Sequence, residues 1–241
     1  FDDFKIDQVY ALHNWPELPL GTFGVNSGPM MAAVDEFDIT VKGKGGHAAS
    51  PHLAIDPVVI SAQVISAVQT IISRSTDPVD KALISITKIN AGTAYNVIDD
   101  QVKMGGTIRT FKKETRSYIE KRLGELCNGI AEAHGAEIKI QFDLVNKYPP
   151  TINSKKESDF AATVAKELVG EENVNTNIDP SMGGEDFSYL LEKKPGSYLY
   201  IGQGDENHKA HLHTTKYDFN DNLLPIGVNF WVNLVKNYFK K

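Results

Sequence analysis

The run E-F-D-I-T-V-K-G-K-G-G-H-A-A-S-P, Glu36 to Pro51, decides how the chain is read. Phe37, Ile39 and Val41 alternate with polar neighbours, the period of a strand with one buried face. The strand then meets Gly43, Gly45, Gly46 and His47. Glycine-rich loops commonly cradle phosphate, but no G-K-[ST] closes this one, and Ala48 stands where a dinucleotide fingerprint needs its third glycine. The loop therefore presents a side chain. Its glycines imply close approach of the backbone to another surface, and His47 brings the acid/base or hydrogen-bonding chemistry.

Outward from this run, the period switches in a recognisable order. Asp56-Pro57 opens a helix with an acidic N-cap and a proline at its first position, and Ile60, Val64, Val68 and Ile71 share one face. Alternating runs at Ala82 to Ile89 and Val102 to Phe111 flank the loop G-T-A-Y-N-V-I-D-D. A second helix carries Ile119, Leu123, Leu126 and Ile130 on one stripe and is ended by Gly135. A strand from Glu137 to Leu144 completes β-α-β-β-α-β, the ferredoxin-like sandwich of a four-stranded antiparallel sheet with two helices on one face.

The flanks read as α/β material. Residues 1 to 35 give a strand, Ile6 to Leu12, ending at His13 and followed by a Pro/Gly-punctuated hairpin. Residues 150 to 241 give helices at Asp159 to Val169, Phe187 to Glu192 and Leu224 to Phe239, and a strand at Ser197 to Ile201. The expected architecture is a compact module, 36–149, inserted into a second domain made of 1–35 and 150–241. Half of that second domain is missing from this reading, and the start at Phe1 suggests part of a longer protein.

The chain has 241 residues, is 41% hydrophobic and carries a formal charge of −6 with both signs interspersed. This favours a soluble globular protein and argues against nucleic acid or an anionic membrane as partner. No apolar run suggests a bilayer span, and no signal peptide is recognisable. Cys127, the lone cysteine, lies in a helical apolar pattern and reads as a reduced core thiol in a cytoplasmic protein.

Three groups could carry chemistry. His13, in A-L-H-N-W-P-E-L-P-L-G, follows an apolar strand where open α/β sheets place ligand-binding groups, although taken alone a strand-end histidine bonded to backbone is the simpler reading. In H-K-A-H-L-H-T-T-K-Y-D-F-N-D, His208, His211 and His213 precede Asp218 and Asp221, a density that suits zinc or simply a solvated loop. In S-M-G-G-E-D-F, Gly183 and Gly184 could donate backbone N–H groups, while Glu185 and Asp186 also fit a helix N-terminus. Asn96 lies near a sheet edge, and Arg109, by alternation with Ile108, reads as a solvent-exposed strand residue.

These motifs, with G-K-G-G-H-A-A-S-P-H-x-A-x-D-P, G-T-A-Y-N-V-I-D, G-T-I-R-T-F, Y-P-P-T-I-N and L-H-T-T-K-Y-D-F-N-D-N-x-L-P-x-G, occur in that order along the chain. Their succession resembles the aminoacylase-like metallopeptidases, in the branch of hippurate hydrolases, N-acyl-amino-acid amidohydrolases and plant auxin-conjugate hydrolases. The resemblance implies an α/β metallopeptidase catalytic domain with an inserted lid that also forms a homodimer. It implies a two-metal centre with His13 and His213 among its ligands. It further implies that His47 serves the neighbouring subunit's site, that Asn96 and Arg109 contact an N-acyl amino acid or its carboxylate, and that Gly183 and Gly184 line the pocket. Zinc, manganese, nickel or cobalt would all suit such ligands.

The family's C-G-H-D-x-H segment and E-E pair, which supply the remaining ligands and the general base, are not found in their places here. Glu171-Glu172 lies in another context. The expectation is an amidohydrolase whose 241-residue portion binds little or no metal and is inactive alone. The alternatives are a non-catalytic dimerisation or binding module, and a dipeptidase of the same family.

Overall fold

The computed structural model describes residues 4–142 and 147–240. Along the described residues the strands are β1 (Val9–Pro19), β2 (Phe23–Gly24), β3 (Gly28–Met31), β4 (Ala33–Lys42), β5 (Gly46–His47), β6 (Ala82–Asn90), β7 (Val97–Ile98), β8 (Gln101–Thr110), β9 (Glu137–Gln141), β10 (Thr151–Asn153), β11 (Val174–Asn175) and β12 (Gly196–Gly204). The α-helices are α1 (Pro57–Thr70), α2 (Lys113–His134), α3 (Lys155–Val169), α4 (Ser188–Leu191) and α5 (Leu224–Tyr238). Two compact units result. One holds the chain up to Met31, Thr151–Ser181 and Glu185 onward; the other holds Ala32–Pro150 and Met182–Gly184.

In the second unit, β4, α1, β6, β8, α2 and β9 follow one another, and the sheet order is β6-β8-β4-β9 with every pairing antiparallel. The inward residues of the opening strand, Phe37, Ile39 and Val41, are fully buried against Ile60, Val64 and Val68 of α1 and Ile119, Leu123 and Cys127 of α2. Each such aliphatic side chain contributes about 1.5–3 kcal/mol of burial. Asp56 caps α1, its Oδ1 accepting from the Val58 amide at 2.8 Å. Gly135 ends α2 in the left-handed conformation, φ 64°. The last strand is described only to Gln141, so the sequence reading of it through Leu144 falls partly outside the described residues.

Contrary to the sequence reading, one segment does reach the size of a bilayer span. Pro57–Ser75, which is α1 and the π turn after it, has 19 residues and a mean hydropathy of 1.3. Its apolar face, however, is the inner wall of this unit's core, as Ile60, Val64, Val68 and Ile71 show.

In the first unit the sheet order is β1-β12-β2-β11. β1 is longer than its sequence suggested. It passes through His13 and Trp15 in parallel register with β12, His13 opposite Tyr200, and is irregular only between Trp15 and Pro19. Pro16 and Pro19 are tolerated because β1 is an edge strand, where a missing N–H breaks no ladder. α3 likewise starts earlier than read, at Lys155 after Ser154. Its Ala161, Val164 and Ala165 pack with Leu199, Ile201 and Phe230 in a second core.

Candidate functional site

In the second unit, the glycine-rich loop folds back as a two-residue strand. Gly46 and His47 pair with Ile98 and Val97, and the Ala48 amide donates to the Asn96 carbonyl at 3.0 Å. His47 and Asn96, 49 positions apart in sequence, are thus brought together by one short antiparallel pairing. The surface the glycines approach is the chain's own: a Cβ on Gly43 would stand 2.0 Å from the Ile55 carbonyl oxygen. The Gly45 amide is held by Asp100 Oδ1 at 2.8 Å. A shallow bowl of about 460 Å³ lies between these residues.

The ring orientation of His47 follows from its neighbours. Its Nδ1 accepts from the Ala49 amide at 3.0 Å, so the neutral ring carries its proton on Nε2. His47 is exposed, and Nε2–H is a fixed donor facing outward.

Arg109 departs from the exposed strand arginine expected by alternation. It sits on β8 between Val34 of β4 and Leu83 of β6, and its Nη1 is buried with no hydrogen-bond partner. Burial pushes its pKa below the ordinary guanidinium value, with Glu36 and Asp35 acting in the opposite direction. Asp35 is itself taken by Arg116, whose Nε donates at 2.6 Å and whose Nη2 makes a second contact. An unsatisfied guanidinium nitrogen beside a pair already closed is suited to a carboxylate from outside the unit.

Gly183 and Gly184 serve packing as observed. The Gly183 carbonyl accepts from the Ala32 amide at 2.9 Å, and a Cβ on Gly184 would lie 2.0 Å from Val34 Cγ2. Val34 is also the strand partner of Arg109, so this glycine pair stands over the same spot.

In the first unit, His13 lies within β1 and not after it. Its Nδ1 is hydrogen-bonded to the Asn14 carbonyl at 2.7 Å, which leaves Nε2 for a ligand. The Trp15 and Tyr198 rings flank it at 5.8 and 6.0 Å. Tyr198 donates to Glu185 Oε2 at 2.7 Å, and burial foremost, then this bond, raises its pKa. Asn153 fixes Tyr198 from behind, Oδ1 accepting from its amide at 2.7 Å and Nδ2 donating to its carbonyl at 2.9 Å. The role of Tyr198 could not be read from the sequence, because its partners Glu185 and Asn153 are 13 and 45 positions away.

The histidine-rich loop is tied to β1 at two points. Asn14 Nδ2 donates to Tyr217 Oη at 2.6 Å and to the fully buried Gln203 at 2.8 Å, and His211 Nδ1 meets Glu17 at 2.5 Å. Asn220 joins Gln203 to Asp205, and Asp205 receives the His208 side chain and the Asn207 amide, which hold its pKa at about 2. His213 alone of the described non-glycine residues has positive φ, 59°. Such backbone persists where the surroundings over-determine it, often at functional positions. Its imidazole is exposed.

The Nδ1 bond leaves His13 Nε2 open to a ligand, and the His213 imidazole is exposed. No group of three or more His, Cys, Asp or Glu that could hold a metal occurs among the described residues.

The model of peptidase family M20/M25/M40 matches residues 1–237. A hippurate hydrolase of Campylobacter jejuni is 38% identical over 240 residues, 100% of this chain and 61% of that protein. An N-acetylcysteine deacetylase of Bacillus subtilis is 36% identical over 229 residues, 95% of this chain and 58% of that protein. The crystal structure of a dinuclear metal-binding peptidase of the M20 family from B. subtilis superposes with a TM-score of 0.79 at 31% identity, covering 98% of this chain and 58% of that one. The chain therefore spans about 60% of the length of the relatives it matches.

Proposed function

Since this chain belongs to peptidase family M20/M25/M40, we propose that it is the larger part of a metal-dependent amidohydrolase that releases an amino acid from N-acyl amino acids. The match along the whole chain to proteins named hippurate hydrolase and N-acetylcysteine deacetylase carries this reading. The segment 36–149, the bulk of the second unit, is its ferredoxin-like lid and homodimerisation domain, and 1–35 with 150–241 is the catalytic domain. The protein acts in the cytoplasm, in keeping with its single cysteine, a core thiol whose pKa burial pushes up to about 11.

Each residue has a role suited to its chemistry. His13 Nε2 and His213 hold metal, with His13 oriented by the Asn14 carbonyl. Bound divalent ions, zinc or manganese, nickel or cobalt, supply water activation and carbonyl polarisation. His47 Nε2–H donates to the oxygen on which charge develops as the amide is attacked, in the partner subunit's site. Asn96, on the same hairpin, adds a second polar contact. Arg109 Nη1 pairs with the substrate carboxylate, where the incoming anion satisfies an otherwise costly donor. Gly183 and Gly184 keep the wall beside it low.

With a partial donor set, the 241-residue chain alone is inactive. The test measures zinc and manganese content and amino-acid release from N-acetyl and N-benzoyl substrates, with dipeptides in parallel. It is run on this chain and on a fusion completing it with the hippurate hydrolase segment outside the match. Metal and N-acyl activity in the fusion alone are expected. Turnover of dipeptides alone would make it a peptidase, and neither metal nor turnover in the fusion would favour a non-catalytic binding module.

A further inference from the structure

The short pairing that carries His47 also holds apolar side chains out in water. Val97 stands opposite His47 in register, and partners in an antiparallel pairing keep their side chains on one face, with Cβ atoms about 4.5–5.5 Å apart. Val97 is 45% exposed and lines the same bowl as His47. Two residues before it, Tyr95 is fully open to solvent, the most exposed large hydrophobic side chain among the described residues.

Neither residue sits on a slack loop. The Val97 amide donates to the Ala94 carbonyl at 3.3 Å, so Tyr95 and Asn96 are the central residues of a tight turn. The Ala48 amide holds the Asn96 carbonyl at 3.0 Å, and Thr93 Oγ1 donates to Asp99 Oδ1 at 2.8 Å beside the turn. Single exposed apolar residues are ordinary, and Val79, on another hydrogen-bonded turn of this unit, is one. Tyr95 and Val97 differ from it by their company, the outward Nε2–H of His47 and the side chain of Asn96.

We propose that Tyr95 and Val97 form an apolar rim that grips the acyl group of the substrate and favours an aromatic acyl group over acetyl. The inference rests on the proposed function, in which His47 donates to the oxygen of the scissile amide. That oxygen belongs to the acyl carbonyl. The acyl group is bonded to the same carbon and meets the residues beside His47 first, whereas the amino-acid side chain begins two bonds further away, beyond the nitrogen. An aromatic acyl group gives the Tyr95 ring a partner for offset stacking or edge contact, which a methyl group does not.

The test uses the fusion described above. Part of its pocket comes from the relative, so the quantity read is the change that a substitution in this chain makes to the ratio of kcat/KM for N-benzoylalanine over N-acetylalanine. Tyr95→Ala should lower kcat/KM for N-benzoylalanine by about tenfold and for N-acetylalanine by less than about twofold. Val97→Ser should move the ratio the same way by about threefold, and Val79→Ala should leave it unchanged. His47→Ala should lower both substrates alike, which separates donation to the oxygen from selection of the acyl group. The sedimentation of each variant should match that of the parent.

A ratio unmoved by Tyr95→Ala would overturn the proposal. So would losses on both substrates with altered sedimentation, which would make Tyr95 an interface residue. A shifted preference between N-acetylalanine and N-acetylphenylalanine, with the acyl ratio unmoved, would assign the rim to the amino-acid side chain and overturn it as well. A fusion that hydrolyses none of these substrates defeats the amidohydrolase reading and this inference with it, whereas hydrolysis with an unmoved ratio defeats this inference alone.

Discussion

Replacing Arg109 by methionine separates what this side chain does for a ligand from what it does for the fold. The substitution keeps the aliphatic stem and removes a guanidinium whose Nη1 is buried and unpaired. The sign of the effect follows from the direction of its pKa. Burial lowers it despite the attraction of Glu36 and Asp35, so the surroundings disfavour the charge on balance. Arginine carries that charge at every working pH, so the cost is present throughout. A buried donor left unsatisfied costs about 1–3 kcal/mol, and since Arg109 as a whole is only partly buried the lower end applies, about 1 kcal/mol. Arg109→Met should therefore stabilise the second unit by that amount. Cys127, 1% exposed in the core of the same unit, reports it: its modification by a thiol reagent should slow about fivefold if labelling follows opening of that core. On the proposed function, the same change in the fusion should raise KM for N-acyl amino acids. Labelling faster than in the parent chain would refute the reasoning and make Arg109 a structural residue.

Three further outcomes are expected. Asn153→Ala removes bonds to the Tyr198 amide, the Tyr198 carbonyl and the Asn26 carbonyl, and should cost about 3 kcal/mol in urea unfolding. Both tryptophans lie in the first unit, so their fluorescence follows this transition, and a loss under about 1 kcal/mol would show that water replaces the amide. Asp35→Ala leaves Arg116, 15% exposed, with only the long 3.9 Å contact to Glu120 and should destabilise the second unit by about 3 kcal/mol, read by Cys127 labelling, with tryptophan fluorescence unmoved. Asp205 has a folded pKa of about 2, below its ordinary 3.8, so its contribution is complete above pH 3.8 and lost as pH falls toward 2. The His208 amide should exchange faster relative to the intrinsic rate over that window, and a flat profile would show that Asp205 does not anchor the loop.

Local signals carried much of the architecture. The period-two run at Phe37 to Val41, the Asp56-Pro57 cap and Gly135 place three elements of the second unit within a few residues, because each is specified by its own neighbours in sequence. The length of β1 was not legible in the same way. Pro16 and Pro19 argue for a turn unless a partner strand about 190 residues away holds the segment extended. Arg109 was misread for a related reason: alternation gives the face of a strand and says nothing of what covers that face. For the candidate site, His13, His47 and Asn96 were visible as motifs, whereas Tyr198, Gln203 and Asn153 became apparent only through contacts across the fold.

The pairing of β1 with β12 also orders events in time. All but three residues of the second unit are contiguous, so its sheet can close once the ribosome has released residue 150. β1 is made before the second unit and waits for a partner about 190 residues downstream, roughly 10–40 s at ordinary rates of synthesis. Within that interval β1 lacks the strand it pairs with, so residues 9–19 are open to holdase capture or mispairing until β12 has been made.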